Sequence, residues 1–302
     1  MKQAFIGIDV GSTGCKAIAI DGEGRTVATA SQRYDNTIVY LGLGQYDQDP
    51  AILRDASLRC CRALLEKLSA DYHVSALGLT GQMHGLVALD AELQPLRPIM
   101  SCVDFRNEAQ NDRIYAEVGG KTGLLDYTNN KMVPSCTGGK ILWMMEHEPE
   151  LFARTRVIVN PKDYVRTVLT GVPATDESDA SGFGLYDVKS RCWSGELLVR
   201  IGIPARVLPK VLRSYEVVGP VLPEIAAQTG LPEDALVVAG AGDAIMQTCG
   251  SGTMEDGVYG VILGSGGNLS TVLDHCPRNE GALLQLYAGI CENQWVAYAG
   301  LM

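Results

Sequence analysis

An apolar strand, a glycine turn and a second apolar strand occur twice in this sequence, and the pairing limits the folds open to it. Residues 5–17 read FIGIDVGSTGCKA and residues 259–271 read YGVILGSGGNLST. Turns of this kind leave backbone N–H groups directed into the bend, a concavity suited to phosphate oxygens. Two of them in one chain predict a cleft that holds a polyphosphate from both sides. Around the first, residues 4–10, 15–21 and 25–31 run apolar or alternate, with turns at Gly11–Gly14 and Asp21–Gly24. That is the pattern of a three-strand antiparallel meander.

At Asp49-Pro50 the periodicity changes. Asp49 can accept the free N–H groups of a helix start and Pro50 suits the first helical position. Leu53, Ala56, Cys60, Ala63, Leu64 and Leu68 follow at helical spacing, which predicts an amphipathic helix over 50–68. Further strands are expected at 74–80 and 86–90, helices at 106–118 and 138–147, and a strand at 156–160 leading into a helix at 161–169. The Gly-, Asp- and Ser-rich stretch 172–195 reads as loops with a short hairpin. A helix over 221–229 precedes the apolar strand 235–240, and a helix is expected to begin at Asp243. The second meander starts near Tyr259, with its third strand at 295–301. Strands and helices in this mixture, with 34 Gly and 4 Phe, indicate an α/β protein. A three-strand sheet with apolar residues on both faces and no covering helix predicts that these 302 residues are part of a longer protein.

A formal net charge of −10 argues against a nucleic-acid partner, and no basic stripe offsets it. An anionic small ligand stays open, because turn amides bind phosphate whatever the global charge. The nine cysteines contain no C-x-x-C and match neither a zinc site nor a disulfide framework. Together with the absence of a signal peptide they point to a reducing cytoplasm. No apolar run reaches membrane-spanning length, so no membrane partner is expected.

Asp9 ends a strand just before Gly11-Ser12-Thr13-Gly14. A carboxylate there can organise a hydrated magnesium ion while the turn amides and the Thr13 hydroxyl meet phosphate, with Lys16 adding positive charge. An ordinary hairpin also favours Asp and Gly, and the repeat at Gly264-Ser265-Gly266 tips the reading towards phosphate. Asp243 follows a very apolar strand and opens a helix, a place for a rigidly held base or for a simple cap. Gln82, Met83 and His84 in TGQMHG, with Asp104 and Arg106 in VDFRN, cluster at strand ends and at the start of a helix. Their polar members suit sugar hydroxyls. Asp176, Ser178, Asp179 and Ser181 are read mainly as capping and loop residues, and ILWMM (141–145) as core. No G-x-x-x-x-G-K-[ST] occurs, which excludes a P-loop, and GAGDAI (240–245) lacks the third glycine of a dinucleotide fingerprint.

GIDVGSTGCK, LTGQMHG, the D-x-R of VDFR, the K-x-L-W of GGKILW, PKDYVRTVLTG and ATDESDASG stand in the order found in FGGY carbohydrate kinases, and most resemble the xylulokinase branch. The resemblance runs from Met1 to at least Gly267. It implies an α/β, actin-like, ribonuclease-H-like fold with a mixed sheet: a sugar-binding first domain over 1–244 and the beginning of an ATP-binding domain over 245–302. It further implies phosphorylation of a ketopentose at its terminal hydroxyl, with ATP and Mg2+ between the domains and a homodimer as the family-level expectation. By motif position Asp243 would be the general base and Asp9 would organise magnesium. Gly11, Ser12, Thr13 and Lys16, with Gly264, Ser265 and Gly266, would contact ATP; Gln82, Met83, His84, Asp104 and Arg106 would shape the sugar site.

Four departures stand out. Ala244 occupies a position usually held by Asn or Gln in xylulokinase-like members. Cys102 and Val103 replace the usual Trp and Asn ahead of D-x-R. The second glycine turn lacks the typical second hydroxyl, and the adenine-binding part of the second domain is missing. Xylulose is therefore the first expectation, with another pentulose or a sugar alcohol close behind. A sugar-binding protein that has lost catalysis is the reading from a different class; retention of both Asp9 and Asp243 argues against it. Residues 1–302 alone are expected to bind sugar weakly and ATP poorly, since cleft closure needs both domains.

Overall fold

The computed structural model describes residues 1–263 and 267–301. Its first sheet has six strands: β1 (Lys2–Val10), β2 (Gly14–Asp21), β3 (Thr26–Arg33), β4 (Tyr72–Gly81), β5 (Val217–Pro220) and β6 (Leu236–Gly242), in the order β5-β6-β4-β1-β2-β3. The predicted meander is β1-β2-β3, antiparallel throughout. On its other side β1 runs parallel to β4, and β4 parallel to β6. The ends of β1, β4 and β6 therefore emerge at one edge of the sheet, and Asp9, Thr80 and Ala241 are neighbours across it.

Ile6, Ile8 and Val10 alternate onto the face covered by helix α1 (Pro50–Leu65). Asp49 caps that helix as expected, accepting the Ala51 N–H at 2.9 Å, and Leu53, Ala56, Cys60 and Leu64 are fully buried. Helices α2 (Pro161–Thr170) and α4 (Pro223–Thr229) complete this layer. A second core, built on Ile114, Leu124, Ile141 and Phe183, lies under the helices Glu108–Glu117, Gly120–Thr128 and Thr137–His147. Among the described residues no helix is long and apolar enough to cross a membrane.

Three expectations need correction. Asp104 and Arg106 precede the helix at Glu108–Glu117 instead of opening it. The stretch 172–195 does contain a hairpin, Tyr186–Asp187 with Cys192–Trp193, but also a buried helix, α3 (Glu177–Gly182). Its polar sequence hides it, because the groups that satisfy α3 come from α2. The second sheet consists of β7 (Tyr259–Leu263), β8 (Gly267–Leu273), β9 (Gln285–Ala288) and β10 (Trp295–Leu301), ordered β7-β8-β10-β9. The expected third strand, β10, does pair with β8, and the unexpected element is β9 outside it. The second glycine turn, Gly264-Ser265-Gly266, lies outside the described residues.

Helix α5 (Asp243–Gly250) follows β6 directly. Ile245 on α5 packs with Met83, Ala241, Val272, Tyr287 and Val296, an apolar cluster that joins the two sheets.

Candidate active site

The turn after β1 is held so that its acceptors are used up. Gly14 O accepts Gly11 N–H at 3.0 Å, Thr13 O accepts Tyr34 N–H at 3.0 Å, Gly11 O accepts the Tyr34 hydroxyl at 2.5 Å, and Ser12 O accepts Gln48 Nε2 at 3.1 Å. The Ser12 and Thr13 amides have no acceptor among the described residues. With its carbonyls tied back and these amides free, the turn is a donor-only concavity of the kind that binds an anion. Gln82 belongs to this scaffold: its amide donates to Gln48 Oε1 at 3.0 Å, so an expected sugar contact braces the Gly11–Gly14 turn.

Asp9 sits opposite Lys16 on β2 and Thr80 on β4. It makes no ion pair shorter than 4 Å among the described residues. Burial raises its carboxyl pKa and the Lys16 ammonium partly offsets that rise. An unpaired, half-buried carboxylate beside free amides and two hydroxyls fits a hydrated divalent cation carrying phosphate.

Asp9, Gly11–Lys16, Thr80, Asp243 and Tyr298 line one polar cavity of about 840 Å³. The adjoining apolar cavity of about 1110 Å³ shares Asp9 but has neither the turn nor Asp243. Asp243 faces the polar opening from the first turn of α5, its Oδ1 accepting Ala244 N–H at 2.8 Å. The carboxyl is open at the cleft surface yet walled in by the concave site. That loss of bulk water raises its pKa to about 6, with the negative charge of Asp9 adding to the effect.

The TGQMHG segment approaches this cavity through Met83, and Gln82, Met83 and His84 are not among the residues that line it. Met83 is buried against Gly242, where an added Cβ would meet its sulfur at 2.5 Å. His84 has φ 65°, a left-handed conformation uncommon outside glycine. Its carbonyl accepts Lys140 Nζ at 2.9 Å and Thr137 Oγ1 at 3.2 Å, while its Nδ1 lies 2.9 Å from Gly182 O. Burial depresses the ring pKa to about 4. A neutral imidazole facing a carbonyl through Nδ1 carries its proton there, which leaves Nε2 as an acceptor.

Asp104 and Arg106 are engaged with each other. Arg106 Nε donates to both Asp104 oxygens at 3.0 and 2.9 Å, and its Nη2 reaches Asp47 at 2.5 Å. Asp104 Oδ2 also accepts Tyr46 N–H at 2.6 Å. The pair clamps the 101–106 loop to the hairpin of Ile38–Gly42 and Gln45–Gln48, and both side chains are buried. Neither residue lines the polar cavity.

Two residues stand in the quoted motifs without a role of their own in the sequence reading. Thr80 lines the cavity beside Asp9, and its hydroxyl is buried without a partner. Lys140 is fully buried and ties His84 O to Ser101 O, at 2.9 and 2.7 Å, with its pKa lowered by burial to about 8. A lone lysine in the apolar run GGKILWMM was the available signal.

A family profile for the FGGY family of carbohydrate kinases, N-terminal domain, matches residues 4–250. The chain belongs to the FGGY family. Its relatives include the xylulose kinase of Bacillus subtilis, 36% identical over 266 residues, which cover 87% of this chain and 52% of that protein. The xylulose kinase of Klebsiella pneumoniae is 32% identical over 291 residues, 96% of this chain and 59% of the relative. Among solved structures, the xylulose kinase of Rhodospirillum rubrum superposes with a TM-score of 0.92 at 26% identity, over 98% of this FGGY chain and 60% of that one. The chain therefore spans somewhat more than half the length of the relatives it matches. The fold is the actin-like fold of the FGGY sugar kinases.

Proposed function

We propose that this chain supplies the sugar site and one wall of the nucleotide site of an ATP-dependent kinase that phosphorylates the terminal hydroxyl of a ketopentose, with xylulose the first candidate. The observation that carries the reading is the single polar cavity holding Asp9, the donor-only turn and Asp243. The similarity to xylulose kinases supports the choice of sugar. In the domain division that accompanies this reading, residues 1–244 form the sugar-binding domain and residues 245–302 begin the ATP-binding one.

Phosphoryl transfer asks the protein mainly for positioning and charge stabilisation. Asp243, as carboxylate, accepts the proton of the attacking hydroxyl. A pKa near 6 leaves it ionised at neutral pH yet more basic than an ordinary aspartate. The free Ser12 and Thr13 amides, the Thr13 hydroxyl and Lys16 meet phosphate oxygens, and Asp9 would hold a hydrated Mg2+, which would supply charge neutralisation at the phosphates. His84 Nε2 accepts a hydrogen bond from a sugar hydroxyl, and Met83 fixes the floor beside Gly242. Asp104 and Arg106 hold the neighbouring loop in shape.

The test is ADP release from MgATP with D-xylulose and a panel of pentuloses and polyols, using the protein as its gene encodes it. Xylulose-dependent turnover supports the reading. Sugar binding in a calorimeter, with no ADP release for any acceptor, would sink it.

A further inference from the structure

Beneath the cleft lies a cluster of five fully buried ionic side chains, Lys162, Asp163 and Arg166 on α2 with Asp176 and Asp179 at α3. Lys162 Nζ contacts Asp163 Oδ1 at 2.5 Å, Asp176 Oδ2 at 2.7 Å and Asp179 Oδ2 at 3.1 Å. Arg166 Nη1 contacts Asp163 Oδ1 at 2.8 Å. The three carboxylates approach one another closely enough to hold a metal ion, but the Lys162 ammonium already stands among them as the cation. Taking several charges out of water is unfavourable, and apolar side chains of similar volume often stabilise a fold better. Stability alone is a poor reason for this cluster.

Its connections suggest another reason. Strand β6 is kinked: against β4 its register slips between Val238 and Ala241, so that Ala239 and Gly240 stand opposite Leu79 alone. Gly240 has φ 76°, and a Cβ there would fall 1.8 Å from Leu79 O. The displaced Ala239 carbonyl accepts Arg166 Nη1 at 2.5 Å. Beyond the kink, Gly242 N–H donates to Ser178 Oγ at 3.0 Å. Ser178 in turn donates its hydroxyl to Asp176 Oδ1 at 2.5 Å and its N–H to the same oxygen at 2.9 Å. Asp176 therefore links Lys162 to the backbone one residue before Asp243.

We propose that Ser178 is a positioning residue for Asp243, and that the buried cluster anchors it. Arg166 grips the kink at Ala239, and the Ser178 hydroxyl grips Gly242. Between them they fix the direction in which the strand delivers Asp243 to the cleft. The Ser178 hydroxyl suits this place because it accepts from Gly242 and donates to Asp176 at once, which no apolar side chain can do. The catalytic part of the inference rests on the assignment of Asp243 as base; the anchoring of Gly242 does not.

The experiment compares wild type, Ser178→Ala and Ser178→Thr in the full chain, by steady-state kinetics with D-xylulose and MgATP and by amide hydrogen exchange at Gly242. Ser178→Ala should lower kcat about ten- to hundredfold, the scale of an ångström-sized misplacement, with the sugar KM changed less than about threefold. Its Gly242 amide should exchange about tenfold faster, the loss expected for one hydrogen bond, while amides of β1 stay protected. Ser178→Thr keeps the hydroxyl and should restore both. Wild-type kcat and Gly242 protection in Ser178→Ala would overturn the proposal. If the alanine variant does not fold, a folded threonine variant with kcat lowered a hundredfold would overturn it equally. Faster Gly242 exchange in Ser178→Ala, alongside a wild type inactive towards every pentulose, would uphold the anchoring and refute the kinase reading instead.

Discussion

The cleft has two carboxylates delivered by two strand ends, and the protein secures them in opposite ways. The β1 end with Asp9 is held by neutral groups, the buried Tyr34, Gln48 and Gln82. The β6 end with Asp243 is held from below by buried charge, through Arg166 and Ser178. The first arrangement ties back carbonyls and leaves amides free; the second tethers a carbonyl and an amide at the kink and aims one side chain. A site for an anion needs open donors, whereas a base needs a fixed direction.

The contrast can be broken most severely at the base. In the kinase reading Asp243→Asn should lower kcat about a thousandfold with little change in sugar KM, measured by coupled ADP release. Next come the glycines. Gly240→Ala combines a positive φ with a backbone collision and should lower unfolding free energy by about 3 kcal/mol in urea titration. Gly11→Ala, whose Cβ would lie 3.0 Å from Gly14 O, should lose only about 1 kcal/mol. Tyr34→Phe removes the hydroxyl from Gly11 O and should raise the ATP KM about threefold to tenfold while leaving the sugar KM unchanged.

The smallest effect is electrostatic. Asp243 titrates at about 6, raised first by burial and then by Asp9. Its proton is bound more tightly in the folded chain than in the unfolded one. The stabilisation this gives is complete below the ordinary aspartate range and is lost as pH rises through about 6. Asp243→Asn should therefore raise Tm relative to wild type at pH 8 but not at pH 4. Removing the Asp9 charge, as in Asp9→Asn, should move the Asp243 midpoint below 6, measured by carbon NMR of the carboxyl.

Local signals made much of this legible. The meander and α1 were readable because alternation, a glycine turn and an Asp-Pro start are properties of neighbouring residues. Asp9 and Asp243 could be singled out because one lies at the end of an apolar strand and the other directly follows one. The partnership of Asp104 and Arg106 with Asp47 was not readable, since it spans some sixty positions and depends on a hairpin with much exposed surface. Helix α3 was missed for a related reason. A buried ESDASG segment makes physical sense only once Lys162 is known to lie beside Asp176.

The tied-back turn at Gly11–Gly14 has a consequence for ligand sorting. Phosphate oxygens can only receive hydrogen bonds, whereas sugar hydroxyls can also give them. In the kinase reading, the turn offers amide hydrogens to phosphate while Asp243, lining the same cavity, offers lone pairs to a sugar hydroxyl. On that reading, the direction of the hydrogens sorts phosphate from hydroxyl before shape does.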